Sequence, residues 1–210
     1  MTGPVTAGLL AGYGIAVPVG AVGAHLVAVT ARTGWRTGAG AALGVATADG
    51  AYALLAVAGG AALVPLLLPV MGPLRWASAL LLTALALRSA RTAWNAYRAG
   101  DAASRDDGTA PTAGRAYLAF LGITLLNPMT VVYFAALVLA TGPDAPAGPA
   151  GKTAFVLAAL AASASWQLLL ALGGTVLGRT LTGHRGRLAT ALVSSTLVTA
   201  LAVRLVTGGD

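Results

Sequence analysis

The chain of 210 residues is 57% hydrophobic and only 9% charged, whereas soluble domains carry roughly 25% charged residues. So little charge cannot cover this much apolar surface in water, and the absence of cysteine excludes disulfides, thiolate metal sites and thiol relays. The net charge of +7 does not indicate nucleic-acid binding, because the basic residues stand in the gaps between apolar runs instead of clustering on one face.

The apolar runs predict an all-α integral membrane protein with six transmembrane helices. A spanning helix needs about 20 mainly apolar residues. No Lys or Arg precedes Arg32, so a cleavable signal is not expected and the first run should stay in the membrane. The predicted spans are 5–29, 38–60, 70–93, 116–140, 153–177 and 187–207.

A polar segment, residues 99–114, divides these spans into two sets of three. Its small residues and three acidic side chains predict a flexible cytoplasmic linker between a first repeat, 1–98, and a second repeat, 115–210. Three crossings reverse the side on which a chain emerges, so two homologous halves of this kind must be inverted. Inverted repeats are a common plan among transporters.

The basic residues predict the orientation. Ten of the 13 lie in the odd-numbered gaps or at the span ends beside them, which places those loops in the cytoplasm and both termini outside. Trp76 and Trp94 bracket the third span about 27 Å apart at 1.5 Å per residue, as interfacial aromatic side chains would.

Each half opens with a span that contains proline. The stretch "GIAVPVGAVGAHL" places Pro18 and Gly20 within the first span, and "LLNPMTVV" places Asn127 and Pro128 within the fourth. A single proline of this kind is more often a packing kink. Two at corresponding positions favour interrupted helices at a transport site.

Proline also removes a backbone donor from the helix. The carbonyl groups of Gly14 and Thr124, four residues before Pro18 and Pro128, are therefore expected to be left without a backbone hydrogen bond. Such carbonyls should face a cavity or another protein group, because lipid cannot bond them.

Asp49 is the only acidic residue inside a predicted span. An acid at the centre of a membrane helix costs about 3 kcal/mol on insertion scales, so it should face protein or water. Tyr52, three residues later, could offer it a hydroxyl. These features favour a role in proton coupling or cation sensing; the alternative is a structural acid near the outer end of the helix, hydrogen-bonded or paired with Arg75.

Two polar stripes at helical spacing lie on the fourth and fifth spans. They consist of Thr124, Asn127 and Thr130, and of Ser163, Trp166 and Gln167. Polar side chains can simply join helices, and for Ser163 that interpretation is preferred. The amides of Asn127 and Gln167 need more hydrogen-bond partners, so lining a cavity is an equal alternative for them.

Other residues carry weaker signals. His25 and His184 have no neighbouring His or Cys, so no metal or other cofactor is expected. The spacing of Gly8 with Gly12, and of Gly40 with Gly44, predicts close helix packing. It leaves open whether the protein is a homo-oligomer.

Together these residues resemble the lysine-exporter/threonine-efflux (LysE-type) family of bacterial amino-acid exporters. The matching features are "PVG" at 18–20, the Arg-flanked turn at 32–38, "GAGAALG" leading to Asp49, "LLNP" at 125–128 and Trp166. The resemblance covers nearly the whole chain.

The resemblance implies a non-enzymatic exporter in the bacterial inner membrane, driven by the proton motive force, for amino acids or similar small polar metabolites. It implies that Pro18–Gly20 and Asn127–Pro128 flank the cavity and that Asp49 is the embedded acid. The predicted substrate pathway comprises Pro18, Gly20, Thr124, Asn127, Pro128, Trp166 and Gln167. The family often has a second proline and an amide where this chain has residues 21–23, and a basic residue where it has Met129. These departures favour a neutral or fairly apolar substrate.

A different class of function is also open from the sequence. A non-transporting membrane scaffold or assembly factor would use the polar stripes to bind a partner helix. The expected partners of an exporter are a small-molecule substrate and membrane lipid, with no nucleic acid.

Overall fold

The computed structural model describes most of the chain as helix. The described residues are 2–18, 20–59, 65, 68–99, 111–127, 130, 133, 148–180, 188–189, 192–193, 195–200 and 203. Within these ranges there is no strand. The predicted all-helical class is therefore confirmed for the described part of the chain.

Six longer helices form the described structure, together with a short 3-10 turn at Leu68–Val70. The helices are α1 (Thr2–Ala16), α2 (Ala21–Thr33), α3 (Trp35–Gly59), α4 (Met71–Ala99), α5 (Ala113–Leu125) and α6 (Gly148–Thr180). Among the described residues, α3 and α6 are each long and apolar enough to cross a membrane. The bent pair of α1 and α2 makes a third crossing if it counts as one span.

The other predicted spans are represented less completely. α4 covers the third predicted span as one helix of 29 residues but is not among the helices with the length and apolarity of a span. The fourth is described as continuous helix to Leu125, with Thr130 and Tyr133 also helical, and the sixth only in part, over residues 195–200 and a few neighbours. The segment 100–110 of the predicted linker lies outside the described residues.

α6 is the scaffold on which α1 packs. A Cβ added at Gly8 would collide with the Phe155 carbonyl oxygen, and one at Gly12 would collide with that of Ala159. The backbones can approach this closely only because neither glycine carries a side chain. Since the contact advances by one helical turn in the same direction along both helices, α1 and α6 run parallel.

α2 packs on the C-terminal part of α6, and in this contact the glycines lie on α6 instead of on its partner helix. Gly174 faces the backbone of Val27, and Gly178 faces the backbone of Ala31. These two pairs have the same separation in sequence as the pairs between α1 and α6. Both halves of the broken helix therefore follow α6 in one register.

α3 lies between α5 and α6. Gly40 faces the Ala113 carbonyl and Gly44 faces the Tyr117 carbonyl, so α3 and α5 are parallel and closely packed. On its other side, Gly50 meets the side chain of Leu160 in α6. The predicted close packing at both glycine pairs is confirmed, and it occurs within this chain.

Local signals in the sequence explain where several helices begin and end. The hydroxyl oxygen of Thr112 accepts a hydrogen bond from the Arg115 amide at 3.3 Å, which caps the start of α5. Gly34 separates α2 from α3 with a φ of 84°, a conformation that favours glycine, and its amide donates to the Thr30 carbonyl at 2.8 Å.

Large apolar side chains remain outside the packed interior on several helices. Leu10, Leu80, Leu118 and Val193 are all at least 66% exposed. Their exposure would be unfavourable in water but suits a lipid environment, because hydrocarbon is the solvent these side chains prefer.

We expect Gly12→Ala to lower the stability of the protein in detergent by about 1–3 kcal/mol, because the new methyl group would push α1 away from α6. The matched control is Gly3→Ala in the same helix, where an added Cβ meets nothing within 4 Å. Alanine is the better helix former by up to about 1 kcal/mol, so the control should not lose stability. Thermal unfolding followed by circular dichroism measures both, and equal effects would contradict the close packing.

Candidate functional site

The first interruption separates α1 from α2, which meet at an angle of 74°. The amide of Val17 makes the last helical bond of α1, to the Tyr13 carbonyl at 2.9 Å, and Pro18 then has no amide hydrogen to donate. Pro18 is exposed, and Gly20 precedes α2 in an extended conformation. The interruption predicted at Pro18 is confirmed.

The second interruption follows α5, whose last helical residue is Leu125. The Thr124 carbonyl accepts a hydrogen bond from the Asn127 amide at 3.0 Å. The prediction that this carbonyl lacks a partner is therefore wrong, because the chain tightens into a 3-10-type turn before Pro128. Pro128 itself lies outside the described residues.

Two hydroxyl groups from other helices bond the next carbonyls at this helix end. Tyr52 of α3 donates to the Leu125 carbonyl at 2.6 Å, and Ser78 of α4 donates to the Leu126 carbonyl. The end of a helix leaves carbonyl groups without intrahelical donors, and here the neighbouring helices supply them. Nothing in the sequence marked Ser78 for this role.

Asp49 is buried in α3, with 4% of its surface exposed. One carboxylate oxygen accepts a hydrogen bond of 2.7 Å from the Ser163 hydroxyl of α6. Ser163 therefore joins two helices, as its preferred interpretation requires, and its partner is the predicted buried acid. Tyr52 gives its single hydroxyl proton to Leu125 and does not donate to Asp49, and the side chain of Arg75 lies outside the described residues.

The buried polar stripe continues along α6 beyond Ser163. Trp166 and Gln167 follow at the next helical turn, and Gln167 is 5% exposed. The α1 contact ends near this level, because Gly12 lies against Ala159 and Ala162. The glycine contacts of α6 with α2 begin at Gly174, and at the shared separation of 147 positions residues 18–20 correspond to residues 165–167 of α6.

Within the part of the chain that the structure describes, three buried polar atoms have no hydrogen-bond partner. They are Oγ1 of Thr124, Nε1 of Trp166 and Oε1 of Gln167. Buried polar groups almost always have partners, so each exception needs an explanation. All three belong to side chains that the sequence marked as parts of a substrate pathway.

Two side chains one turn apart on α3 contact α6 and the end of α5. Asp49 reaches α6 through Ser163, and Tyr52, one turn along the same helix, reaches the end of α5 through Leu125. Partners on α3 and α5 are 73 positions apart both at Gly44–Tyr117 and at Tyr52–Leu125, so this register is kept along the interface. The arrangement places the Asp49–Ser163 bond and the end of α5 one turn apart along α3.

Thr124 occupies a different face from the residues that contact α3. It lies one turn after Phe120, whose ring stacks on His25 of α2 with centroids 5.3 Å apart. Thr124 and His25 are both buried. α5 therefore presents Thr124 toward the α2 side of the bundle. Thr130 is also buried, and its neighbour Pro128 and the linking residues are outside the described part.

No metal centre is found in the described part of the chain, where no three His, Cys, Asp or Glu side chains form a group that could hold an ion. His25 packs against Phe120, as its interpretation as a structural residue requires. His184 lies outside the described residues.

We expect Tyr52→Phe to loosen the end of α5, because it removes the donor to the Leu125 carbonyl and costs about 1 kcal/mol or more. Hydrogen exchange at residues 120–127 should become faster. The matched control is Tyr117→Phe, which loses a longer 3.2 Å bond to Thr47 on the same α3–α5 interface but away from the helix end. Faster exchange in both variants alike would contradict a specific role for Tyr52.

Comparison with known proteins identifies the family. The family model described as LysE type translocator matches residues 14–209. No curated protein and no solved structure matches the chain significantly. The match spans both interruptions, Asp49 and the polar turn of α6, and it agrees with the resemblance seen in the residues. The chain belongs to the LysE-type translocator family, which implies a membrane protein that exports amino acids or other small molecules.

Proposed function

We propose that this protein is a secondary-active exporter of amino acids or similar small polar metabolites across the bacterial inner membrane, driven by the proton motive force. Alternating access would take place around the interrupted first and fourth spans. The observation that supports the proposal is that one turn of α3 contacts α6 through Asp49 and Ser163 and contacts the end of α5, at the second interruption, through Tyr52.

The registers of the helix contacts support two inverted halves. Pro18 and Pro128 are 110 positions apart in sequence, and Gly8 and Phe155 are 147 apart. With this offset of 110 between corresponding positions, Gly8 in the first half corresponds to position 118 in the second. Phe155 in the second half corresponds to position 45 in the first. Positions 45 and 118 are 73 apart, the same separation as across the α3–α5 interface. The α1–α6 contact is thus the counterpart of the α3–α5 contact under the exchange of halves that an inverted repeat requires.

The directions of the helices support six alternating crossings. α1 and α2 run parallel to α6, and α3 runs parallel to α5, as the first and fifth spans and the second and fourth spans should. Together with the concentration of arginine in the odd-numbered loops, this supports cytoplasmic odd loops and outer termini.

The proposed transport step follows from the polar groups between the interruptions. Substrate would bond the unpartnered atoms of Thr124, Trp166 and Gln167, which lipid would leave unsatisfied. Asp49 would take up a proton from the outside and release it inside as the two halves exchange their packing. Ser163 would hold the carboxylate in place between these events.

The same groups favour a neutral polar substrate. An indole N–H, a hydroxyl and an amide oxygen offer both donors and an acceptor without a fixed charge. Asp49 is the only acidic side chain among the described residues, and in this proposal it is reserved for the proton. A cationic substrate would need a second carboxylate in the same place.

We expect Asn127→Leu to abolish efflux while leaving folded protein in the membrane, because the substituted side chain can no longer bond substrate or backbone at the second interruption. Efflux of labelled amino acids from proteoliposomes, screened across the neutral and charged classes, measures the effect. Thr196→Leu, an equivalent polar-to-apolar change at an exposed helical position, should keep transport. Retained efflux in Asn127→Leu would remove this residue from the site.

We expect Asp49→Asn to abolish the dependence of transport on a pH gradient, because an amide cannot carry the proton. Ser163→Ala keeps the carboxyl and removes only its donor, so it should slow transport and still respond to the gradient. Both variants are assayed in proteoliposomes with and without an imposed gradient. A wild-type response in Asp49→Asn would assign Asp49 to structure instead.

A further inference from the structure

One face of α4 is packed and the opposite face is not. Ala79, Leu82 and Ala86 are buried, and the Ala86 carbonyl accepts a hydrogen bond of 2.9 Å from the Ser195 hydroxyl. Across the helix, Leu80 and Leu87 are 66% and 49% exposed. The exposed face is apolar up to Leu87 and suits contact with lipid tails.

The same face changes character at Arg88. Arg88, Arg91, Trp94 and Arg98 follow one another within about 120° of arc at 100° per residue, and all four are exposed. The guanidinium carbon of Arg98 lies 5.2 Å from the centroid of the Trp94 ring, within the range of a cation–π contact. We refer to these four residues as the basic stripe.

The arginines of the basic stripe have no anionic partner in the described part of the protein. Asp49 is the only acidic residue there, and it is buried in α3 against Ser163. Among the described residues, none of Arg88, Arg91 and Arg98 forms an ion pair. Three neighbouring positive charges on one face therefore have no counter-charge among the residues that the structure describes.

The position of the stripe along α4 matches the edge of a bilayer. Trp76, exposed on the same face, lies 12 residues before Arg88, or about 18 Å at 1.5 Å per residue, and about 27 Å before Trp94. The hydrocarbon core is about 30 Å thick, and tryptophan is enriched at its two boundaries. Arg88, Arg91 and Arg98 can extend their guanidinium groups from this depth toward the headgroups.

We propose that the basic stripe binds the headgroup of an anionic phospholipid, with the acyl chains lying along Leu80 and Leu87. A lipid is favoured over a soluble anion because the charged and apolar parts form one continuous exposed face. Phosphate oxygens would accept from the arginines, whose planar donors suit this bidentate contact. This inference does not depend on the transport cycle, and its test needs no substrate.

The test uses full-length protein in phosphatidylcholine vesicles that contain a minor fraction of brominated lipid. The quenching of Trp94 fluorescence by the brominated lipid is obtained as the difference between the wild type and Trp94→Phe. Brominated phosphatidylglycerol should quench Trp94 more strongly than brominated phosphatidylcholine. In Arg88→Gln/Arg91→Gln/Arg98→Gln, the relative association constant for phosphatidylglycerol should fall about tenfold or more.

The matched control removes three positive charges elsewhere. Arg36→Gln/Arg115→Gln/Lys152→Gln has the same net charge, changes only exposed side chains and should keep the preference of Trp94 for phosphatidylglycerol. Equal quenching of the wild type by both lipids would overturn the proposal. So would a preference that survives in the stripe variant, or one that falls equally in both triple variants.

Discussion

Lipid cannot hydrogen-bond a polypeptide backbone, and this constraint determines how the two interrupted helices are built. Wherever α1 or α5 ends inside the bundle, the freed groups must find partners in the protein. The end of α5 does so through a local turn at Asn127 and through hydroxyls from Tyr52 and Ser78. The carbonyls of Thr124, Leu125 and Leu126 are thus satisfied in this conformation, whereas buried side-chain atoms of Thr124, Trp166 and Gln167 have no partner.

Asp49 lies on the turn of α3 that contacts both α6 and the end of α5. A buried carboxylate must be hydrogen-bonded, and Ser163 meets that need from the helix that faces the first interruption. Tyr52, on the same turn of α3, holds the second interruption. One turn of α3 therefore contacts α6 through Asp49 and the end of α5 through Tyr52. Glycine makes this possible, since α3 and α6 approach their neighbours closely only at positions without side chains.

Much of this organisation could be predicted from residue types and spacing. Proline in an apolar run indicated the first break, the glycine pairs indicated close packing, and a lone aspartate marked the buried acid. Other features depended on contacts distant in sequence. The bond from Ser78 to Leu126 joins residues 48 positions apart, and that from Ser163 to Asp49 joins residues 114 apart. Serine is common in helices of this kind, so no local pattern distinguishes these two from the rest. The prediction that the Thr124 carbonyl is unbonded was wrong. The chain at the end of α5 forms a tighter turn, in which the Asn127 amide supplies the donor.

The central claim is that the two interruptions line one water-accessible path. The chain has no cysteine, so single cysteines can be introduced without altering other residues. Cells carrying Gly20→Cys or Asn127→Cys are treated with a hydrophilic maleimide, and lipid-facing Leu118→Cys serves as the control; a side chain at position 20 meets nothing within 4 Å. Labelling at positions 20 and 127 but not at 118 is the predicted result, and failure to label both positions in folded protein would contradict the account.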